Sequence, residues 1–294
     1  MSLQFDLFSD YSSELGEGPF WDSKRSRLHW VDIIGKKIIS QNLDGSNIHA
    51  LEVDGNPGCV VLSDEGTMVA GVDNQISSFD GGGNLLKVLA DTNEGSGLRF
   101  NDGKCDPSGR FWVGSMDRKE KNKLGSLYSW NNEEGLVNRE QGITVSNGMG
   151  WSPDNYLFYY IDSPTRDVSV YDFDLPTGSI KNKRKFISFS EEDGFPDGMT
   201  IDADGRLWVA FWGGSKIMCI DAQSKRVEEV IQFPVSKITS CAFGGEQMDQ
   251  LFVTSAKVQV SEVDEPMAGK TFVIELGITG IPSYQVIISK KKYY

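Results

Sequence analysis

Apolar positions along this chain fall in runs of four to six residues rich in Val, Ile, Phe, Trp and Tyr, each bounded by Asp, Asn, Gly or Pro. An amphipathic helix would instead repeat its apolar positions every three to four residues over roughly ten or more. Short runs closed by turn formers predict β-strands. One unit, a tight polar turn followed by an apolar strand, recurs six times. The first three copies run from Asp22 to Arg27 into Leu28-His29-Trp30-Val31, from Ser63 to Gly66 into Thr67-Met68-Val69-Ala70, and from Asp106 to Gly109 into Arg110-Phe111-Trp112-Val113. The later three run from Ser152 to Asn155 into Tyr156-Leu157-Phe158-Tyr159, from Asp202 to Gly205 into Arg206-Leu207-Trp208-Val209, and from Gly244 to Asp249 into Gln250-Leu251-Phe252-Val253. A third strand follows in most copies, as at Gln75 to Phe79, Gly125 to Trp130, Asp167 to Tyr171 and Ser215 to Ile220.

A period of about 40 to 50 residues holding three or four short strands has the dimensions of a propeller blade. Six blades around a channel bury their sheet faces against one another, which no single unit could do. The expected fold is therefore all-β, a six-bladed β-propeller forming one domain over residues 1–294. Its ring is expected to close where a strand near Leu3 to Phe8 lies beside Lys270 to Leu276.

Charge and composition narrow the partners. The chain carries 29 Lys and Arg against 42 Asp and Glu, a formal net charge of −13, which disfavours a nucleic-acid backbone and an anionic membrane surface. The start, Met1 to Asp6, lacks the basic segment and apolar run of a secretion signal, and no run approaches the roughly 18 apolar residues of a membrane span. A soluble, cytoplasmic protein is expected. Cys59, Cys105, Cys219 and Cys241 are far apart and form no Cys-x-x-Cys pair, so they read as small buried apolar residues rather than zinc ligands.

The repeat also supplies a candidate site. A comparable residue stands eight positions before the turn Gly or Asn in four copies, giving Gly58, Asn101, Asn147 and Asp197. Alignment on Asp22 adds Glu17 from the first copy, and the looser last copy gives Thr239. Propeller symmetry sets equivalent positions at equal height around the axis, so Glu17, Asn101, Asn147 and Asp197 are expected to converge in the central channel. Two carboxylates and two amide oxygens form a hard-oxygen site suited to Ca²⁺, Mg²⁺ or Mn²⁺. Taken singly, Asn101-Asp102-Gly103, Asn147-Gly148 and Asp197-Gly198 are also ordinary turn formers. Arg99 and Asp102 are the other polar groups expected near the ring, and Trp212, before Gly213-Gly214, is the tryptophan expected to face the channel. Trp112, Trp151 and Trp208 read as core.

These residues carry a family likeness. Leu15-Gly16-Glu17-Gly18-Pro19, Arg99-Phe100-Asn101-Asp102-Gly103-Lys104, Ser146-Asn147-Gly148, Tyr159-Tyr160-Ile161-Asp162-Ser163, Pro196-Asp197-Gly198-Met199 and Thr239 to Gly245 resemble the gluconolactonase, regucalcin (senescence marker protein) and luciferin-regenerating-enzyme family, over about Glu14 to Gly280. The resemblance implies a six-bladed propeller with one divalent metal ion (Ca, Zn, Mn, Mg or Fe(II)) that hydrolyses sugar and related lactones. It implies Glu17, Asn147 and Asp197 as metal ligands and Arg99 and Asn101 as substrate contacts. One departure stands out: where some members carry a substrate-binding Glu after a Gly-Ser/Thr-Met segment, Gly114-Ser115-Met116 here leads into Asp117-Arg118-Lys119-Glu120, with Lys119 near the expected place. Asp117 or Glu120 is expected to take over that role.

The chemistry expected is metal-dependent opening of a small lactone, with Asp197 as general base. A Ser-His-Asp route has little to build on, because the two histidines, His29 and His49, sit in no Gly-x-Ser-x-Gly context. The alternatives are phosphotriester hydrolysis at the same metal, a calcium-binding regulator, and a non-enzymatic propeller platform.

Overall fold

The computed structural model describes residues 5–289, and apart from two short 3-10 turns, Ser163–Thr165 and Glu191–Asp193, the regular structure among them is β-strand. The short apolar runs lack the length to nucleate helices and gain their stability from pairing and burial. The chain begins with β1 (Phe5–Ser9). The first blade is β2 (Gly16–Asp22), β3 (Arg27–Asp32), β4 (Lys37–Asn42) and β5 (His49–Glu52). The second is β6 (Pro57–Leu62), β7 (Met68–Val72), β8 (Gln75–Phe79) and β9 (Leu85–Asp91). The third is β10 (Leu98–Cys105), β11 (Phe111–Asp117), β12 (Gly125–Asn131) and β13 (Gly135–Ile143). The fourth is β14 (Ser146–Trp151), β15 (Leu157–Asp162), β16 (Asp167–Asp174) and β17 (Ser179–Ser188). The fifth is β18 (Phe195–Ile201), β19 (Leu207–Trp212), β20 (Lys216–Ile220) and β21 (Val227–Gln232). The sixth joins β22 (Ile238–Gly244), β23 (Gln250–Ser255) and β24 (Thr271–Glu275) to β1, so the two ends of the chain complete one sheet.

The six-bladed propeller and its closure match the repeat. Phe5 lies opposite Ile274 and Leu7 opposite Phe272, while Leu3 and Gln4 of the expected closing strand lie outside the described residues. The turn-plus-strand unit corresponds to the link between the first two strands of each blade. In the third blade the Asp106 carboxylate accepts from Ser108 N, Arg110 N, Arg110 Nε and the Trp112 indole. Asp202 repeats the pattern in the fifth with Asp204 N, Arg206 N, Arg206 Nε and Trp208. Trp112 and Trp208 are thereby fixed in the core with their polar edge satisfied. All four cysteines are buried and unbridged.

Each blade's first strand carries one extra residue relative to its partner. The slip falls between Glu17 and Phe20, Pro57 and Cys59, Phe100 and Gly103, Ser146 and Met149, Pro196 and Met199, and Ile238 and Ser240. A bulge of this kind bends a strand and re-aims its side chains. Here it recurs, blade after blade, at or directly beside Glu17, Gly58, Asn101, Asn147, Asp197 and Thr239. The motifs that doubled as turn formers are thus strand residues at bulges. On the opposite face the segment after β24 crosses from Thr279 and Ile281, bonded to Ala203 and Ile201, to Val286 and Ile287, bonded to Leu62, Asp64 and Gly109.

Candidate metal centre

Glu17, Asn101, Asn147 and Asp197 line one cavity of about 350 Å³ together with Arg99, Glu120, Ser163 and Trp212. Its remaining wall is apolar, from Leu15, Ile33, Met116, Val145, Pro164 and Phe195. The four residues of the aligned set are all buried. Two positions of the six-fold set contribute nothing, for different reasons. A Cβ on Gly58 would lie 2.4 Å from Asn101 O and 2.5 Å from Phe100 O, so the neighbouring blade leaves no room for a side chain. Thr239 turns its hydroxyl into the blade interface, donating to Gly16 O at 2.6 Å.

One directed hydrogen-bond chain orders the polar groups. Arg99 Nη1 donates to Asn101 Oδ1 at 2.7 Å and to Phe100 O at 2.9 Å. Asn101 Nδ2 donates to Ser146 O at 2.8 Å and to Asn147 Oδ1 at 3.0 Å. Asn147 Nδ2 donates to Ser163 Oγ at 2.8 Å, and that hydroxyl donates to Pro196 O at 2.6 Å. Glu17 Oε2 accepts from Gly18 N at 3.0 Å, whereas Asp197 Oδ1 is buried without a partner.

Burial and the neighbouring Asp102 charge push the Glu17 carboxyl up to about 8. Burial, then Glu17, Asp102 and Glu120, raise Asp197 well above the usual carboxylate range. Two buried carboxylates lining one cavity are short of positive charge, since desolvation and like-charge repulsion both favour the protonated forms. Arg99 supplies only part of it, and its own pKa is drawn down to about 10 by burial. A divalent cation would meet that deficit and displace the protons. Glu17, Asp197 with its unpartnered oxygen, and the Asn147 amide oxygen form a donor set that fits such an ion. No group of three or more His, Cys, Asp and Glu capable of holding a metal occurs among the described residues, so the site depends on counting the Asn147 amide as a donor.

The remaining expectations divide. Trp212 faces the cavity, and Trp112, Trp151 and Trp208 are core. Asp102 turns the other way, into a cavity of about 60 Å³ lined also by Lys104, Thr200 and Cys241 and floored by Ile281 to Tyr284. Lys104 Nζ there donates to Met199 O at 2.7 Å. Asp117, expected as a substrate contact, is engaged in its own turn. It does not line the cavity, and its oxygens accept from Lys119 N, Asn122 N and Asn122 Nδ2, which hold its pKa below the usual value. The turn that Asp117 braces carries Glu120 at φ 57°, donating Glu120 N to Asp117 O at 2.8 Å, and delivers Glu120 to the cavity wall where its charge acts on Arg99. Ser163, which closes one of the quoted motifs, also lines the cavity, a place that the turn alignment does not assign it.

Residues 15–257 match the family model described as SMP-30/Gluconolactonase/LRE-like region. The chain is 36% identical to regucalcin of Danio rerio over 289 residues, which cover 96% of this chain and 98% of the relative. It is 34% identical over 286 residues to a Bacillus subtilis protein provisionally named a sugar lactone lactonase, covering 93% of this chain and 95% of that one. Among solved structures, a luciferin-regenerating enzyme superposes with a TM-score of 0.89 at 30% identity, covering 94% of this chain and 96% of that chain.

Proposed function

The chain belongs to the SMP-30/gluconolactonase/LRE-like family, and on that premise we propose that it hydrolyses small lactones, aldonolactones foremost, at a divalent metal ion held by Glu17, Asn147 and Asp197. The observation that carries this reading is the convergence of two buried, charge-starved carboxylates and one amide oxygen in a cavity of ligand size. A cation in that position supplies Lewis-acid polarisation of the lactone carbonyl.

The protein's own groups do the rest. Asp197 accepts a proton from the attacking water as the new C–O bond forms at the acyl carbon. It returns that proton to the ring oxygen as the acyl C–O bond breaks, leaving an open-chain hydroxy acid. Arg99 and Asn101 orient the substrate's oxygens, and Glu120 takes the place of the family's substrate-binding Glu, accepting from ring hydroxyls. The apolar wall of Ile33, Met116, Val145 and Phe195 faces the carbon skeleton and excludes bulk water.

The test is hydrolysis of a panel of aldonolactones by chelator-stripped protein, before and after each of Ca²⁺, Mg²⁺, Mn²⁺, Zn²⁺ and Fe²⁺ is added. Turnover restored by metal supports the assignment and ranks substrates and ions. No turnover on any lactone with metal demonstrably bound would overturn it in favour of phosphotriester hydrolysis or calcium binding without catalysis.

A further inference from the structure

The run Tyr159-Tyr160-Ile161-Asp162-Ser163 ends β15 and supplies none of the ligands proposed above, yet three of its side chains grip the strand that does. We propose that Ser163 is a positioning residue: it fixes which end of the Asn147 amide faces the channel, and thereby sets affinity for the divalent ion. The proposal rests on the metal reading above.

The argument follows from which groups can donate. Pro196 O can only accept, so the Ser163 hydroxyl, 2.6 Å away, commits its single proton there. At its other contact, Asn147 Nδ2 at 2.8 Å, the same oxygen can then only accept. The Asn147 amide is left with one orientation, NH2 toward Ser163 and Oδ1 toward Asn101. From the other side the Arg99 guanidinium, which has donors and no acceptor, meets Asn101 Oδ1 and forces Asn101 to present its NH2 to Asn147 Oδ1. The chain of amides is therefore pinned at both ends by groups that cannot reverse. Asn101 occupies one lone pair of Asn147 Oδ1, and the second stays free for a cation.

The other members of the run hold the same stretch. Asp162 accepts from Thr144 N at 3.1 Å and Val145 N at 2.9 Å, directly ahead of β14, and Tyr160 donates to Ser146 Oγ at 2.7 Å. Because Pro196 precedes Asp197, Ser163 also ties the strand of one proposed ligand to the strand of another. Without the hydroxyl the Asn147 NH2 loses its partner and only Asn101 still restrains the amide, so its oxygen is held less firmly toward the ion, and any turn of the group replaces a donor oxygen by a repelling dipole. Outer partners of this kind typically set metal affinity by about 10 to 100-fold.

Mn²⁺ binding to chelator-stripped protein, read from the electron paramagnetic resonance signal of free Mn²⁺, tests this without recourse to activity. The proteins compared are the parent, Ser163→Ala, Asn147→Asp and the double variant. Ser163→Ala is expected to weaken Mn²⁺ binding about tenfold or more. An Asp at position 147 has two equivalent oxygens and needs no orienting, so in that background loss of the hydroxyl should cost less than about threefold. An unchanged Kd for Ser163→Ala in a parent that binds Mn²⁺ would overturn the assignment while leaving the metal site intact. An equal penalty in both backgrounds would also overturn it, since that marks a hydroxyl acting through blade packing alone. A parent that binds no divalent ion overturns the metal reading and this one together. If Ser163→Ala does not fold, Ser163→Cys, which keeps the shape but is a weak hydrogen-bonding partner, takes its place in the same comparison.

Discussion

His29 offers a sharp test of the electrostatics outside the channel. It lies on β3 opposite Phe20 and Ser40, is only 6% exposed, and neither ring nitrogen has a partner. Burial pulls its pKa from the ordinary 6.5 to about 4, against the opposing pull of Asp22. Between those values the unfolded chain binds a proton that the folded chain refuses, so stability rises with pH across this window. The contribution is complete above about pH 6.5 and is lost as the pH falls toward 4. From about pH 7.5 to about pH 5, linkage puts the loss from this one group at about 2 kcal/mol. That is a substantial share of the roughly 5 to 15 kcal/mol typical of a folded domain. His29→Leu fills a similar volume, sacrifices no hydrogen bond and removes the titration. Urea unfolding followed by tryptophan fluorescence at the two pH values gives four free energies, and comparing the pH-induced loss in parent and variant cancels every other titrating group. The parent is expected to lose about 2 kcal/mol more than the variant on acidification. Equal losses would refute the reasoning and place the His29 ring in contact with water or with a partner that satisfies its charge. If the prediction holds, part of any loss of stability on acidification belongs to His29 and cannot be assigned wholly to the channel carboxylates.

Three further outcomes are expected. Asp197→Asn replaces a buried carboxyl, one of whose oxygens has no partner, by a neutral amide, so with chelator present it should melt no lower than the parent while the divalent-induced rise in Tm disappears; a retained rise would remove Asp197 from the ligand set. Glu120→Gln should raise KM for polyhydroxylated lactones about tenfold, the scale of one charge-assisted hydrogen bond, and leave an unsubstituted γ-lactone within about twofold; equal effects on both would show that Glu120 does not read hydroxyls. Gly148→Ala would place its Cβ 2.7 Å from Asp197 O and 2.8 Å from Met199 N, backbone atoms of the next blade. It should cost roughly 1 to 3 kcal/mol in urea unfolding and weaken metal binding along with it, whereas a neutral result would mean the inner strands can part freely.

Much of this was legible in the amino-acid sequence because its causes are local. Short apolar runs between turn formers specify strands, a tight polar turn, opened by an aspartate in three of its copies, repeats with the period of a blade, and six such units can bury their faces only against one another. Symmetry then put Glu17, Asn101, Asn147 and Asp197 at one height without any coordinates. What lay beyond the sequence depends on how strands register and how blades approach. One extra residue in the pairing of each inner strand decides which side chain meets the axis, and the chain's own pattern does not reveal which residue the partner strand leaves unpaired. Asp102, one position from Asn101, goes to the opposite cavity for that reason. Asp117 carries the charge a substrate contact would need, yet its loop folds back and occupies both oxygens, passing the cavity position to Glu120. The orientation of Asn147 is set by a serine just past the end of the neighbouring strand and a carbonyl on the next blade, contacts between segments 16 and 33 residues apart that only the folded blades bring within hydrogen-bond reach.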